Sequence, residues 1–316
     1  MEPKTDNEGE EKPEDPPAVV RHSKFYKNHG DVILQVEKTL YRLDSRVLSD
    51  LSEFFSELFS LPQGVHVEGK TDENPIIVQM VTVEEFDHLI LACIHVEWSI
   101  PPHPVKRHLD VLKLATMWRF PDYVKDQAVF ELMRYKSKEF PPVEKLYLAR
   151  CYDIKEFLEP AFKELCTPGA TLAELSSNDI FRIGLSIYEV LTKVKEAIAR
   201  DRRWFAFHAP KLSHIPRTDD CTKDQHKKCK KAWNSEWWKV MGRRILQPVD
   251  VFALNFQCSE AEDVLKSLEV PGMNPSCLGA LLDFVEQSDA LQFEKVHIQN
   301  GVNELIRRLE AGQLNY

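Results

Sequence analysis

Residues 31–59 read DVILQVEKTLYRLDSRVLSDLSEFFSELF, and the spacing of their apolar residues changes halfway. Apolar residues alternate with polar ones over 32–36 and again over 41–43, which predicts the two strands of a hairpin joined by a short polar turn. Over 47–59 they recur three or four positions apart, which is the period of a helix, and Ser45 is suited to cap its start. The stretch therefore predicts strand, strand, helix.

Helical spacing returns in most of the chain that follows. The predicted helical segments are residues 83–98, 111–124, 125–135, 143–166 and 179–202. A strand-like IIVQM at 76–80 precedes them, and prolines at 101, 102, 104 and 121 separate the first ones. The sequence predicts an α+β region near the amino end, followed by a mostly helical region.

The opening stretch resembles the beginning of BTB/POZ domains in residue type and in spacing. The matching residues are Asp31, Val32, Leu34, Val36, Tyr41, Leu43, Val47, Leu48, Ser52, Phe55, Leu58 and Phe59. The resemblance continues through 75–80, 86–94 and 112–115 to about Tyr135. With the element GMNPSCLGALL at 272–282, the whole arrangement resembles the BTB proteins abundant in mushroom-forming (basidiomycete) fungi.

The resemblance implies a fold and a function. The domain would extend over 22–137, with a helical cluster flanked by a small sheet, and a helical region would follow at 138–316. Residues 1–21 are acidic, rich in proline and free of aromatic side chains, and from this composition we expect a disordered tail. Members of the family act by binding proteins, often as dimers, and carry no catalytic groups. We therefore expect a non-enzymatic adaptor that binds protein partners, in the cytoplasm or the nucleus.

The candidate interface residues flank the hairpin and the first helix. They are Phe25, Tyr26, Asp31, Leu43, Val47 and Leu51, and their residue types are equally consistent with plain core. Family members commonly have His followed by a basic residue, which pairs with the equivalent of Asp31 in an intertwined dimer. This chain has Asp44 and Ser45 there, so burial of an unpaired Asp31 at such an interface would be costly. Family members that recruit cullin ubiquitin ligases tend to show hydrophobic-x-Glu where this chain has Leu61-Pro62-Gln63, so the sequence does not support cullin recruitment.

Residues 64–71 read GVHVEGKT and match the phosphate-binding pattern G-x-x-x-x-G-K-[ST]. Such a loop leaves a buried strand and enters a helix, whose positive end faces the phosphates. Here a predicted helix precedes the glycine, and the strand-like 76–80 follows the threonine. The sequence therefore predicts an exposed connection and no nucleotide site.

A second candidate site lies at residues 221–244, CTKDQHKKCKKAWNSEWWKVMGRR. Cys221, His226 and Cys229 are three zinc-type ligands within nine residues, although their spacing differs from the common C-x2-C knuckle. A closed zinc site would need a fourth donor, for which the candidates are His208, His214 and Cys258. Zinc binding and isolated thiols on a polar loop both remain open.

The same segment carries eight Lys or Arg residues, two acids, and Trp233, Trp237 and Trp238. This composition suggests an alternative function, a zinc-assisted nucleic-acid-binding or transcription-related regulator. Trp233, Trp237 and Met241 also fall at helical spacing, which favours a packed face with solvated lysines opposite. The net charge of −9 disfavours binding to phosphate backbones, so we do not expect nucleic acid as a partner.

Composition limits the remaining classes of function. The amino-terminal residues lack the basic start and apolar run of a secretory signal, and no stretch approaches the ~20 apolar residues that span a bilayer. Seven cysteines, an odd number spread thinly along the chain, fit reduced thiols inside the cell. Gly184-Leu185-Ser186 lacks the second glycine of a hydrolase elbow, and no other catalytic motif is found, so we expect no enzyme.

Overall fold

The computed structural model describes residues 19–62, 67–94, 104–167, 169–212, 217–246, 258, 261–288 and 291–314. The chain divides into two compact units, Met1–Tyr135 and Lys136–Tyr316. Most of the predicted acidic tail lies outside the described residues. The first unit contains a small sheet with helices, and the second is mostly helical, as the sequence predicts.

The sheet of the first unit has four strands in the order β1-β3-β2-β4. The strands are β1 Val20–Tyr26, β2 Val32–Val36, β3 Thr39–Leu43 and β4 Ile76–Val78. β2 and β3 form the predicted antiparallel hairpin, and Glu37 makes its tight turn with a φ of 53°. β1 pairs in parallel with β3, and β4 pairs in parallel with β2, so β1 and β4 form the two edges.

Strand β1 begins at Val20, two residues before the BTB/POZ domain that the sequence predicts. The backbone of β1 pairs with β3 from Val20 onward. His22 fixes the strand further: its Nδ1 accepts the backbone N–H of Phe25 at 2.8 Å, and its Nε2 lies 3.2 Å from Asp87. An edge strand with mostly polar side chains shows no apolar alternation, so a pattern search misses it.

The helix predicted over residues 47–59 is interrupted. The helices of the first unit are α1 Ser45–Leu51, α2 Glu53–Ser60, α3 Val83–Cys93, α4 Val105–Met117 and α5 Asp122–Met133. Ser52 separates α1 from α2 with an extended backbone and caps α2 by accepting the N–H of Phe55 at 3.2 Å. The predicted cap at Ser45 is wrong, because Asp44 caps α1 and Ser45 is its first residue.

Replacing Ser52 with alanine is expected to lower the free energy of unfolding by about 1 to 2 kcal/mol. The change removes the cap of α2 and the hydrogen bond that the Ser52 hydroxyl donates to the carbonyl of Trp118 at 2.6 Å. Urea denaturation measures the effect. Ser56 is exposed on the same helix, so Ser56→Ala is the matched control and should change stability by less than about 0.5 kcal/mol. Equal losses in the two variants would contradict this assignment.

Aromatic rings form much of the core of the first unit. Phe86 of α3 meets the ring of Tyr41 edge-on at 4.8 Å between centroids and that of Trp118 at 5.8 Å. Phe55 lies 5.2 Å from Trp118 on the other side. All four side chains are buried. The core therefore joins the hairpin to α2, α3 and the end of α4.

The second unit consists of helices in two packed groups. Its α-helices are α6 Pro142–Tyr152, α7 Leu158–Cys166, α8 Ser177–Ile183, α9 Leu185–Phe207, α10 Lys223–Trp237, α11 Arg243–Leu246, α12 Ala261–Lys266, α13 Pro275–Gln287 and α14 Phe293–Glu310. In one group α14 packs against α7 and α9, where a Cβ on Gly301 would lie 2.7 Å from the ring of Phe162. In the other, Trp233, Trp237 and Leu281 belong to a separate apolar cluster. Within the described ranges, every helix is too short or too polar to cross a membrane.

Candidate functional site

Two of the six candidate interface residues are core residues of the first unit. Phe25 is 2% exposed and Leu43 is 5% exposed. Phe25 stacks on His22 with 4.8 Å between ring centroids, and Leu43 ends β3 opposite Val32. For both, the structure therefore supports the core interpretation that the sequence left open.

Asp31 has a partner that the sequence did not predict. Its carboxylate accepts two hydrogen bonds from Ser45, one from the backbone N–H and one from the hydroxyl, each at 2.7 Å. Burial favours a higher pKa for this carboxyl, but the bonds from Ser45 and the charge of Lys70 outweigh it and hold the pKa below its usual range. Ser45 thus satisfies within the chain the carboxylate that was expected to lack a partner. The same bonds explain why Asp44 caps α1 in place of Ser45.

The remaining candidates reach the surface. Val47 is exposed and Leu51 is half-buried, and as residues four apart on α1 they share one side of the helix. We call this pair the α1 face. Leu51 also lines an open depression of about 690 Å³ beside α1 and α2. Tyr26 is half-buried on the edge strand β1, where its hydroxyl bonds to Asp72.

The described part of the GVHVEGKT segment makes a turn that leads into a strand. Residues 64–66 lie outside the described residues. The backbone N–H of Gly69 bonds to the carbonyl of Asn74 at 2.7 Å, and β4 follows. The ammonium of Lys70 donates to the backbone carbonyl of Asp31 at 3.1 Å. A strand thus stands where a phosphate loop requires a helix.

The segment Leu61-Pro62-Gln63, which was compared with the cullin-recruiting pattern, is described only in part. Leu61 is exposed, and Gln63 lies outside the described residues.

The cysteine and histidine residues of the second candidate site lie close together. The ligand atoms of Cys221, His226 and Cys277 all fall within 4.8 Å of one another. Cys229 contacts the thiols of both Cys221 and Cys277. The three cysteines are buried, so they are not isolated thiols on a polar loop. Cys277 is the residue that sequence reasoning missed, although it lies in the element 272–282 that the sequence had marked for its resemblance.

The pKa values of Cys221 and Cys277 are shifted in opposite directions. Burial and hydrogen bonds to the other two thiols raise the pKa of Cys221 to about 12. Burial would also raise the pKa of Cys277, but hydrogen bonds from Thr218 and Cys221 bring it below the usual value for a thiol. The cluster therefore stabilises negative charge at Cys277.

The predicted fourth donors lie elsewhere or outside the described residues. His208 stacks on Trp204 with 4.9 Å between ring centroids, and its Nδ1 lies 2.9 Å from the carbonyl of Trp204. Cys258 is buried, and its N–H donates to Glu294 at 2.9 Å. His214 lies outside the described residues. Among the described residues, Cys277 is the donor that joins Cys221 and His226.

The tryptophans of the segment form the packed face that helical spacing favours. Trp233 and Trp237 are buried, and their indole N–H groups donate to the carbonyls of Pro210 at 3.0 Å and Phe205 at 2.9 Å. Trp238 is exposed and stacks on Phe207. Because the two buried rings have no free face, they cannot stack on nucleic-acid bases.

The comparisons with known proteins identify the first unit. The BTB/POZ domain family model matches residues 22–133. Neither the curated proteins nor the solved structures gave a match to the chain. The matched residues contain the sheet except the first two residues of β1, together with the helices α1–α5 and the α1 face. Residues 22–133 are therefore a BTB/POZ domain, a type of domain that mediates protein–protein interaction and self-association and is not enzymatic.

Proposed function

We propose that this chain is a non-enzymatic adaptor whose BTB/POZ domain pairs with the same domain of a second copy. The observation that carries the proposal is the family match at residues 22–133, because domains of this family self-associate. The helical region would then present a second protein-binding surface. Each dimer would bring together two such surfaces. A partner with two binding sites that engages one surface would then meet the second at a raised effective concentration.

The α1 face and its surroundings support pairing at this place. Val47 offers apolar surface on a short helix, and the depression beside Leu51 gives a partner side chain room to enter. Asp31 has its carboxylate bonded to Ser45, so covering it costs less than covering an unpaired charge. Strand β1 lies at the sheet edge, where another chain can add backbone hydrogen bonds.

Replacing Val47 with glutamate is expected to weaken self-association at least about 30-fold, which corresponds to about 2 kcal/mol. The substitution places a charge in the apolar centre of the proposed interface, where it would lose its hydration without gaining a partner. Sedimentation velocity across a concentration series measures the dissociation constant. The matched control is Val296→Glu, the same change at an exposed position of α14, and it should leave the constant unchanged. Equal effects of the two substitutions would exclude the α1 face.

Exposed apolar residues of the second unit support the second binding surface. Phe181 of α8 and Leu185 of α9 are both exposed, and they lie four residues apart around Gly184. Large apolar side chains that stay exposed where α8 ends and α9 begins offer contact area to a partner protein. We place the partner-binding surface of the adaptor at this pair.

Three further expectations from the sequence belong to this proposal. We expect the protein in the cytoplasm or the nucleus. The resemblance to BTB proteins of mushroom-forming fungi stays a prediction, since the family model ends at residue 133. The proposal includes neither a cullin partner nor nucleic acid, because the sequence supports neither and the two buried tryptophans offer no stacking surface.

A further inference from the structure

We propose that the second unit binds one zinc ion in a closed tetrahedral site whose ligands are Cys221, His226, Cys229 and Cys277. This inference is independent of the pairing of the BTB/POZ domain, because it concerns another unit and another chemistry. The role of the metal would be structural. Zinc would join the start of α10 to the start of α13.

The local structure of each ligand explains why the four come together. Cys221 directly precedes Thr222, the cap of α10, while His226 and Cys229 lie three residues apart and so share one side of that helix. Cys277 is in the first turn of α13, which Asn274 caps. Two helix amino ends therefore meet at the cluster. Their partial positive charges favour thiolates over neutral thiols.

The distances among three of the four ligands, Cys221, His226 and Cys277, fit a tetrahedral zinc ion. With Zn–S bonds of about 2.3 Å and Zn–N bonds of about 2.0 Å, the edges of the tetrahedron are about 3.5 to 3.8 Å long. The Sγ of Cys277 lies 3.6 Å from the Nδ1 of His226, which is the length of a sulfur-to-nitrogen edge. The ligand atoms of Cys221, His226 and Cys277 all lie within 4.8 Å of one another, so these side chains would move inward only a little when zinc binds.

Groups around the ligands hold the sulfur atoms in place. The backbone N–H of Asn274 donates to the Sγ of Cys229 at 3.3 Å, and the hydroxyl of Thr218 lies 3.3 Å from the Sγ of Cys277. Asp220 accepts the hydroxyl of Ser276 at 2.7 Å, which ties the loop before α10 to the first turn of α13. Zinc thiolates in proteins commonly receive such outer hydrogen bonds, which orient the ligands.

The type and number of ligands select the metal and its role. Three thiolates and one imidazole form the Cys3His set that structural zinc sites use, and soft thiolates disfavour magnesium and calcium. Four protein ligands leave no position for a substrate or a reactive water. Cys229 and Cys277 belong to the same buried cluster as Trp233 and Leu281, so the metal would stabilise the packing of that cluster.

The first test is the metal content of the full-length protein, purified with a reductant and without chelators. We expect about one zinc per chain by elemental mass spectrometry, and almost none in Cys221→Ala or Cys277→Ala. The matched control is Cys258→Ala, which removes another buried cysteine of the same apolar cluster and should keep the zinc. Thr218→Val should lower zinc affinity about 10- to 100-fold, because it removes only an outer hydrogen bond.

The second test does not depend on whether the cysteine variants fold. Cobalt(II) added to the reduced, metal-free wild-type chain should give the intense visible bands and sulfur-to-cobalt charge transfer of a tetrahedral thiolate site, and zinc should displace it. A folded, reduced wild-type chain that binds neither metal would overturn the proposal. So would full zinc content in Cys277→Ala, or an intact mass showing that purification under reductant leaves two of these cysteines joined as a disulfide.

Discussion

Glu294→Ala is expected to lower the free energy of unfolding of the second unit by about 3 to 5 kcal/mol. Glu294 of α14 is 7% exposed, and it forms an ion pair with Arg202 of α9, which is 6% exposed. It also accepts the backbone N–H of Cys258 at 2.9 Å. The alanine removes the carboxylate that faces the buried guanidinium of Arg202, which keeps its hydrogen bond to the carbonyl of Ile245, and the N–H of Cys258 loses its acceptor. Urea denaturation followed by helical circular dichroism measures the loss.

Two controls test whether the loss comes from the burial of a charge that has lost its opposite charge. Glu159→Ala removes one partner of an exposed pair with Lys163, and should cost only about 0.3 to 0.5 kcal/mol. The double replacement Arg202→Met with Glu294→Leu removes both charges and should destabilise far less than Glu294→Ala alone. A loss below about 1 kcal/mol in Glu294→Ala would show that water reaches the pair and that its burial is misassigned.

Phe86→Ala is expected to destabilise the BTB/POZ domain by about 3 to 5 kcal/mol. The ring of Phe86 is fully buried between the rings of Tyr41 and Trp118. Its removal leaves a cavity between the ring of Tyr41 on the hairpin and the ring of Trp118 at the end of α4. Urea denaturation of the full chain, followed through tryptophan fluorescence, measures the loss.

The matched control for this prediction is Phe130→Ala on α5. Phe130 is exposed in the same unit, so its removal should change stability by less than about 0.5 kcal/mol. If the two variants unfold at the same urea concentration, the ring of Phe86 does not hold the hairpin to the helices.

The sequence predicts what depends on local periodicity. Alternation of apolar residues over 32–36 and 41–43 predicts the hairpin, which the structure confirms. The helical spacing of Trp233 and Trp237 correctly favours a buried face, because one side of a helix meets the core at regular intervals. The BTB/POZ resemblance is confirmed at 22–133, where type and spacing together are specific.

Other features depend on contacts between distant parts of the chain. Ser52 interrupts a continuous helical pattern, because its hydroxyl bonds to the carbonyl of Trp118, a residue far away in the sequence. Strand β1 is defined by backbone pairing with β3 and by the contact between His22 and Asp87. The spacing of apolar residues does not reveal either interaction, so the sequence predicted neither the interruption of the helix at Ser52 nor strand β1.

The fourth ligand of the cysteine cluster also depends on a contact between distant parts of the chain. Cys221, His226 and Cys229 are close in sequence, and their ligand types alone suggest a metal. Cys277 joins them only because α13 begins beside the start of α10. His208 and Cys258 were equally reasonable fourth donors by residue type, and only the packing of the second unit separates Cys277 from them.

Light scattering on the purified full-length chain at micromolar concentration tests the central claim, that the BTB/POZ domain pairs two copies. The account predicts a molar mass near twice the 36.6 kDa of one chain. It also predicts that the mass falls toward that of one chain in Val47→Glu, while Val296→Glu keeps the dimer. A wild-type mass of 36.6 kDa across the concentration series would contradict the account.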